Sequence, residues 1–149
     1  MIGVPGRHYM LLSSQLDKEF NGSEKEYVVL HEVGHYLLHH AIREGLFFLV
    51  LFVFGCFIIR KKPWYFILMI GIIGGLLYIQ VGTRSEYEAD HFAVSRMTNP
   101  TGMITATEKF RNGHNPSLND YGLLWPILYR STPYHTRIQW AKEEIRRRM

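Results

Sequence analysis

Cysteine is nearly missing from this 149-residue chain: Cys56 is the only one, which excludes a disulfide scaffold. Long apolar runs are missing before residue 46, and the run that starts there lies too far along the sequence to read as a secretory signal peptide. Charge is scarce in one region only. Residues 45–81 carry three charged side chains, Arg60, Lys61 and Lys62, and 27 of their 37 positions are hydrophobic. The whole chain is 47% hydrophobic with a formal net charge of +4 and a mean hydropathy of −0.07, so the average conceals a polar domain with an oily insert. Disorder is excluded by the aromatic and aliphatic content, and the length allows a single domain, 1–149. Three of the four net charges belong to residues 60–62. Basicity therefore implies nothing about a substrate, and no nucleic-acid motif accompanies the Arg146-Arg147-Arg148 tail.

The insert divides at Arg60-Lys61-Lys62-Pro63. Before it, Leu46–Ile59 is uncharged, and after it Trp64–Val81 has Gln80 as its clearly polar residue. At helical rise these runs cover roughly 21 and 27 Å, against a hydrocarbon core of about 30 Å. The second is long enough to span, and the first becomes so if its helix begins upstream near Ala41 with Lys61 and Lys62 snorkelling. Pro63 suits a first helical turn, Trp64 and Tyr78 suit interfacial positions, and Gly71 and Gly75 form a GxxxG that would let helices approach closely. Both runs are apolar on every face, which favours a transmembrane helical hairpin at 45–81 over a hairpin buried in a soluble core. Such a hairpin returns the chain to the side it left.

Just before the insert stands LHEVGH, residues 30–35. Ser23 with Glu26 reads as a capping box, which predicts a helix start there. On that helix His31 and His35 lie one turn apart on one face, where both imidazoles reach a single zinc ion, and Glu32 sits beside them to take a proton. His39 is too far along to share the ion, and it and His40 read as supporting or surface groups.

A hydrolytic zinc site needs a third protein ligand and an open position. The first acidic cluster after the insert is Glu86-Tyr87-Glu88-Ala89-Asp90. Glu86 and Asp90 share a helical face, whereas Glu88 points about 200° from Glu86. Ser85 with Glu88 fits a second capping box, giving Glu88 a structural role. Glu86 is thus the expected third ligand, and Asp90 an acceptor that orients one histidine. A rival box, Thr83 with Glu86, would make Glu86 a cap instead.

HExxH, a hydrophobic hairpin and ExxAD in this order resemble the membrane zinc metalloproteases of the HtpX and CAAX prenyl protease family. The resemblance covers most of the chain. Val4-Pro5-Gly6 and Tyr9-Met10-Leu11-Leu12-Ser13 look like its strand leading to the zinc helix, EYEADHFAVSR (86–96) like its glutamate-ligand segment, and PTGMITATEKF (100–110) like the helix that follows. Ser131-Thr132-Pro133-Tyr134-His135-Thr136-Arg137-Ile138 is similar to its SxHPxxxxRI region, with Thr132 in the place of the histidine. The resemblance begins almost at Met1, where relatives usually have further helices, so the chain reads as a minimal or a truncated form.

The resemblance implies a mainly α fold with a small β element, of the α+β zincin type, whose HExxH helix runs into the transmembrane hairpin. It implies one Zn2+ on His31, His35 and Glu86, with Glu32 as general base in a zinc metalloendopeptidase. The oxyanion would be met by His135, Tyr134 or Arg137; the alternative is that His135 is a surface residue and Arg137 a structural one. The stretch from His8 to Ser13 reads as a strand, either one on which extended substrate could pair or an ordinary interior strand. Expected partners are the lipid bilayer and a peptide or membrane-protein substrate, with no nucleic acid. The expected location is the cell membrane with the active site on the cytoplasmic side, although the basic residues of loop and flanks do not decide the orientation. LHEVGHYLLHH and EADHFA also resemble regulatory zincins of the ImmA/IrrE and BlaR types. A non-catalytic membrane zinc protein is the remaining alternative, against which Glu32 speaks.

Overall fold

The computed structural model describes residues 2–4, 7–9, 14–59, 64–113 and 131–149. Among the described residues, six helices follow two short strands: β1 (Ile2–Val4), β2 (Arg7–Tyr9), α1 (Ser14–Glu19), α2 (Gly22–Leu37), α3 (His40–Ile59), α4 (Trp64–Arg96), α5 (Thr101–Gly113) and α6 (Tyr134–Arg148). The α+β zincin class expected from the sequence is corrected by this arrangement: the fold is mainly α-helical. The strands are three residues each and pair antiparallel only with one another, Ile2 opposite Tyr9, and no β-sheet layer forms part of the core. The strand expected over residues 8–13 ends at Tyr9, and positions 10–13 lie outside the described residues, as does the basic loop at 60–63.

Helix α2 starts two residues earlier than expected. Asn21 is its N-cap: Asn21 Oδ1 accepts from the Glu24 backbone N–H at 3.0 Å, and Glu24 returns a carboxylate to the Asn21 N–H at 2.7 Å. Asn competes with Ser on equal terms for this role, and Ser23 instead donates to Asn21 Oδ1. Glu26, freed from capping, accepts from the backbone N–H and hydroxyl of Thr98.

Nor does the HExxH helix run continuously into the hairpin. It ends in a turn at Leu38 and His39, and His39 takes a left-handed φ of 54°. Helix α3 then begins at His40 and gives the first span the upstream start that its length required. By contrast α4 is unbroken for 33 residues, about 50 Å. That exceeds the hydrocarbon thickness by about 20 Å, so the apolar part to Val81 is followed by some four turns of polar helix outside it. The capping boxes expected at Ser85 and Thr83 are absent because no helix starts there. Both hydroxyls instead bond back to carbonyls one turn earlier, Thr83 to Ile79 and Ser85 to Val81.

Helices α3 and α4 are each long and apolar enough to cross a membrane, and only 17% of either span is buried within the chain. Phe48, Phe52, Phe57 and Leu68 are exposed. No core within the described residues covers them, which speaks against the buried-hairpin alternative, and the two candidate spans support an integral-membrane location. Within the hairpin, Gly74 faces Leu51, while Gly71 and Gly75 have no neighbour where a Cβ would stand.

The polar half of α4 packs with α2, α5 and α6 around Phe20, Tyr27, Ala93, Val94, Met97, Met103, Ala106 and Ala141. Helix α2 packs tightly on α4 at Gly34, where an added Cβ would lie 3.2 Å from the Ala89 Cα. The absent side chain lets the histidine-bearing turn meet the acidic turn. Gly34→Val is expected to destabilise the protein by about 1–3 kcal/mol through overpacking, measured as a lower thermal midpoint in detergent. An unchanged midpoint would show that the contact is not tight.

Candidate metal centre

His31 and His35 project from one face of α2 toward Glu86 on α4. Their Nε2 atoms are 3.1 Å apart, and Glu86 places Oε2 3.5 Å from the first and Oε1 3.4 Å from the second. Tetrahedral coordination with bonds of 2.0–2.1 Å separates neighbouring donors by about 3.3 Å. Three donors of zinc-compatible type thus stand at the spacing one ion requires, and together they form a cluster able to hold a metal. The donor set fits. The three side chains keep between 15% and 24% of their surface exposed, which leaves an open side for water and substrate.

Behind His31 lies Asp90, with a side chain fully buried. Its Oδ1 accepts from the Tyr27 hydroxyl at 2.6 Å and faces His31 Nδ1 at 2.8 Å, and its Oδ2 accepts from Arg137 Nε at 2.7 Å. Burial alone would neutralise this carboxyl, but the Arg137 charge and the His31 hydrogen bond hold it well below the usual carboxylate range. Burial and the nearby Asp90 charge push the Tyr27 hydroxyl well up, so it remains a neutral donor. Without metal, burial opposes charge on His31, yet the hydrogen bonds to Asp90 and Glu86 outweigh it and raise its pKa to about 9. Burial likewise resists charge on Glu86, and the two imidazoles overcome it, giving about 2. His31 is thus paired with carboxylates on both sides, Asp90 at Nδ1 and Glu86 at Nε2.

Residues 1–145 match the family described as peptidase family M48. The chain belongs to that family. The likeness to HtpX and CAAX prenyl proteases read from the motifs is thereby borne out, and a metalloprotease role is what M48 membership suggests. Comparison with curated proteins and with solved structures returned no match.

The remaining sequence-derived positions of this M48 chain fall as follows. Glu32 is half-buried on α2 beside the histidines and makes no hydrogen bond or ion pair among the described residues. Glu88 is not among the clustered donors. His135 is exposed on the first turn of α6 and outside the three-residue cluster. Arg137 is buried and bonded to Asp90, which matches the structural alternative to an oxyanion role, although its partner was not named from the sequence. Two contacts have partners that the sequence did not name. His40, grouped with His39 as a supporting or surface residue, is fully buried against His35, with the Nδ1 atoms 2.8 Å apart. Glu88, read as a cap, accepts from Arg43 at 2.7 Å and Arg84 at 2.9 Å and lies 3.3 Å from His40 Nε2. The basic residues near the membrane boundary were visible in the sequence, but their partner was not.

Proposed function

We propose that this M48 protein is a membrane-bound, zinc-dependent endopeptidase that cleaves membrane-associated proteins or peptides. In this reading residues 1–149 form one membrane metallopeptidase domain with the hairpin of 45–81 inserted in it, in the cell membrane with its active site toward the cytoplasm. The observation that carries the proposal is the convergence of His31, His35 and Glu86 at donor spacing, next to a glutamate with no other partner among the described residues.

His31, His35 and Glu86 would hold one Zn2+, and Asp90 would hold the His31 ring so that Nε2 faces the ion. Zn2+ held there would supply Lewis acidity and lower the pKa of a water molecule toward neutrality. Glu32 takes the proton of the attacking water and later delivers it to the leaving amine. Of the three donors nominated for the oxyanion, Arg137 is engaged with Asp90, so that role passes to His135 or Tyr134 at the start of α6. Helix α4 carries Glu86 about one turn beyond Val81, where its apolar run ends. The scissile bond must then lie near the membrane surface, which favours substrates anchored in or delivered at the bilayer.

The direct test is purification in detergent, metal analysis and a proteolysis assay on tethered and soluble substrates. Absence of stoichiometric zinc, or equal cleavage of both substrate types with the hairpin dispensable, would defeat the reading. Exchanging Glu86 and Glu88 separately for Ala should release metal only in the first case.

A pH dependence follows from His31. With a metal-free pKa of about 9, its ring is protonated at neutral pH and must lose that proton to bind. Apparent zinc affinity is expected to rise about tenfold per pH unit from 7 to 9 and to level off above. The same raised value means that the His31–Asp90 ion pair stabilises the metal-free fold fully below about pH 6.5 and ceases to do so as pH rises through 9. Calorimetric titration in buffers of different ionisation enthalpy should report about one proton released per zinc at pH 7.5. Zero protons would contradict this.

A further inference from the structure

We propose that His40 is a positioning residue for the metal centre: it accepts the Nδ1–H of His35, fixing that ring's tautomer and turning its Nε2 lone pair to the donor cluster. The inference rests on reading His31, His35 and Glu86 as metal ligands. His31 already has its acceptor in Asp90, and ligand histidines generally need one. For His35 the facing atom is His40 Nδ1 at 2.8 Å, with the rings edge-on at 4.8 Å between centroids and 81° between planes.

One proton assignment satisfies the chain of contacts. A lone pair on His35 Nε2 requires the proton on its Nδ1, which makes His40 Nδ1 the acceptor. The His40 proton is then on Nε2, which lies 3.3 Å from Glu88 Oε2. Glu88 is itself held by Arg43 and Arg84, and Arg43 also donates to Ser85 Oγ at 3.0 Å. His40 is 1% exposed, so water does not compete for either nitrogen.

The backbone explains how residue 40 comes to face residue 35. On an uninterrupted helix, positions five apart point about 140° away from each other. The turn at Leu38 and His39, with its left-handed φ of 54°, ends α2 and restarts the chain so that the first residue of α3 returns toward His35. The first membrane helix thus begins with the group that orients a ligand, and Glu88 reaches the same group from the second. Both arms of the hairpin hold the metal centre's outer support.

The test uses the full-length protein in detergent, stripped of metal and titrated with Co2+ by its visible spectrum and with Zn2+ by competition. His40→Leu removes the acceptor while filling the space, and His40→Asn restores an acceptor at the position of Nδ1. His40→Leu should weaken metal binding about ten- to a hundredfold and shift the cobalt spectrum, and His40→Asn should recover most of both. His40→Leu matching wild type, or His40→Asn behaving like His40→Leu, overturns the proposal. If neither variant folds by circular dichroism, histidine 15N NMR of the zinc-loaded wild type decides. The expected tautomers are Nδ1–H for His35 and Nε2–H for His40, and the opposite tautomer on either ring overturns the proposal. Failure of the ligand reading itself looks different, because His35→Ala would then still bind metal as wild type does.

Discussion

Glu32→Gln is expected to bind zinc as the wild type does and to cut peptide hydrolysis by about 10²–10⁴-fold, the range for loss of a positioned acid–base group. The two outcomes separate because Glu32 is not among the clustered donors, His31, His35 and Glu86. Its carboxylate follows His31 on α2, half-buried and without a hydrogen bond or ion pair among the described residues, so the amide leaves no buried charge uncompensated and the fold should persist. What the amide cannot do is accept a proton from the attacking water and return it to the amine. Glu86→Gln is the informative contrast. It should lose both metal and activity, since a neutral amide is a poor ligand and the attraction of Glu86 for two imidazoles is gone. Metal content beside turnover for the two variants therefore distinguishes a base from a ligand. Full activity in Glu32→Gln would remove the hydrolytic assignment even if zinc were present.

The parts of this centre that were legible in the sequence are those set by helical periodicity. His31 and His35 share a face because they are four apart. Glu86 and Asp90 do so for the same reason, and Glu88 is outside the donor cluster. The parts that were not legible depend on where helices stop. Ser85 and Thr83 have the side chains of N-caps, yet the same hydroxyls bond to the preceding turn when a helix continues, and α4 continues through both. His40 meets His35 only because α2 breaks at His39, a non-glycine left-handed residue that no turn signal marks. The β element was overestimated because a short alternating stretch does not reveal whether a partner sheet exists. Here the described strands find only each other. Arg137 was nominated for the oxyanion from its place in a motif, and the packing of α6 delivers its Nε to Asp90 instead.

That delivery sets up the second large effect. Asp90→Ala should destabilise the protein by about 3–5 kcal/mol, the cost of leaving one member of a buried ion pair alone. Asp90 is fully buried and takes hydrogen bonds on both oxygens, from Tyr27 and His31 on one and Arg137 on the other. Its loss strands a guanidinium that is 8% exposed and leaves the Tyr27 hydroxyl without its acceptor. Removing the stranded charge as well should reverse much of this, so the double variant Asp90→Leu with Arg137→Met is expected to be more stable than Asp90→Ala alone. Metal binding should not recover with it. His31 still lacks the acceptor that fixes its ring, and affinity should stay about ten- to a hundredfold below wild type. Thermal midpoints and zinc affinities measured on the same preparations separate the two functions of Asp90. Stability follows whether the buried charges cancel, whereas metal binding follows whether an acceptor stands behind His31. Recovery of zinc affinity in the double variant would show instead that Asp90 serves the site only by holding the fold.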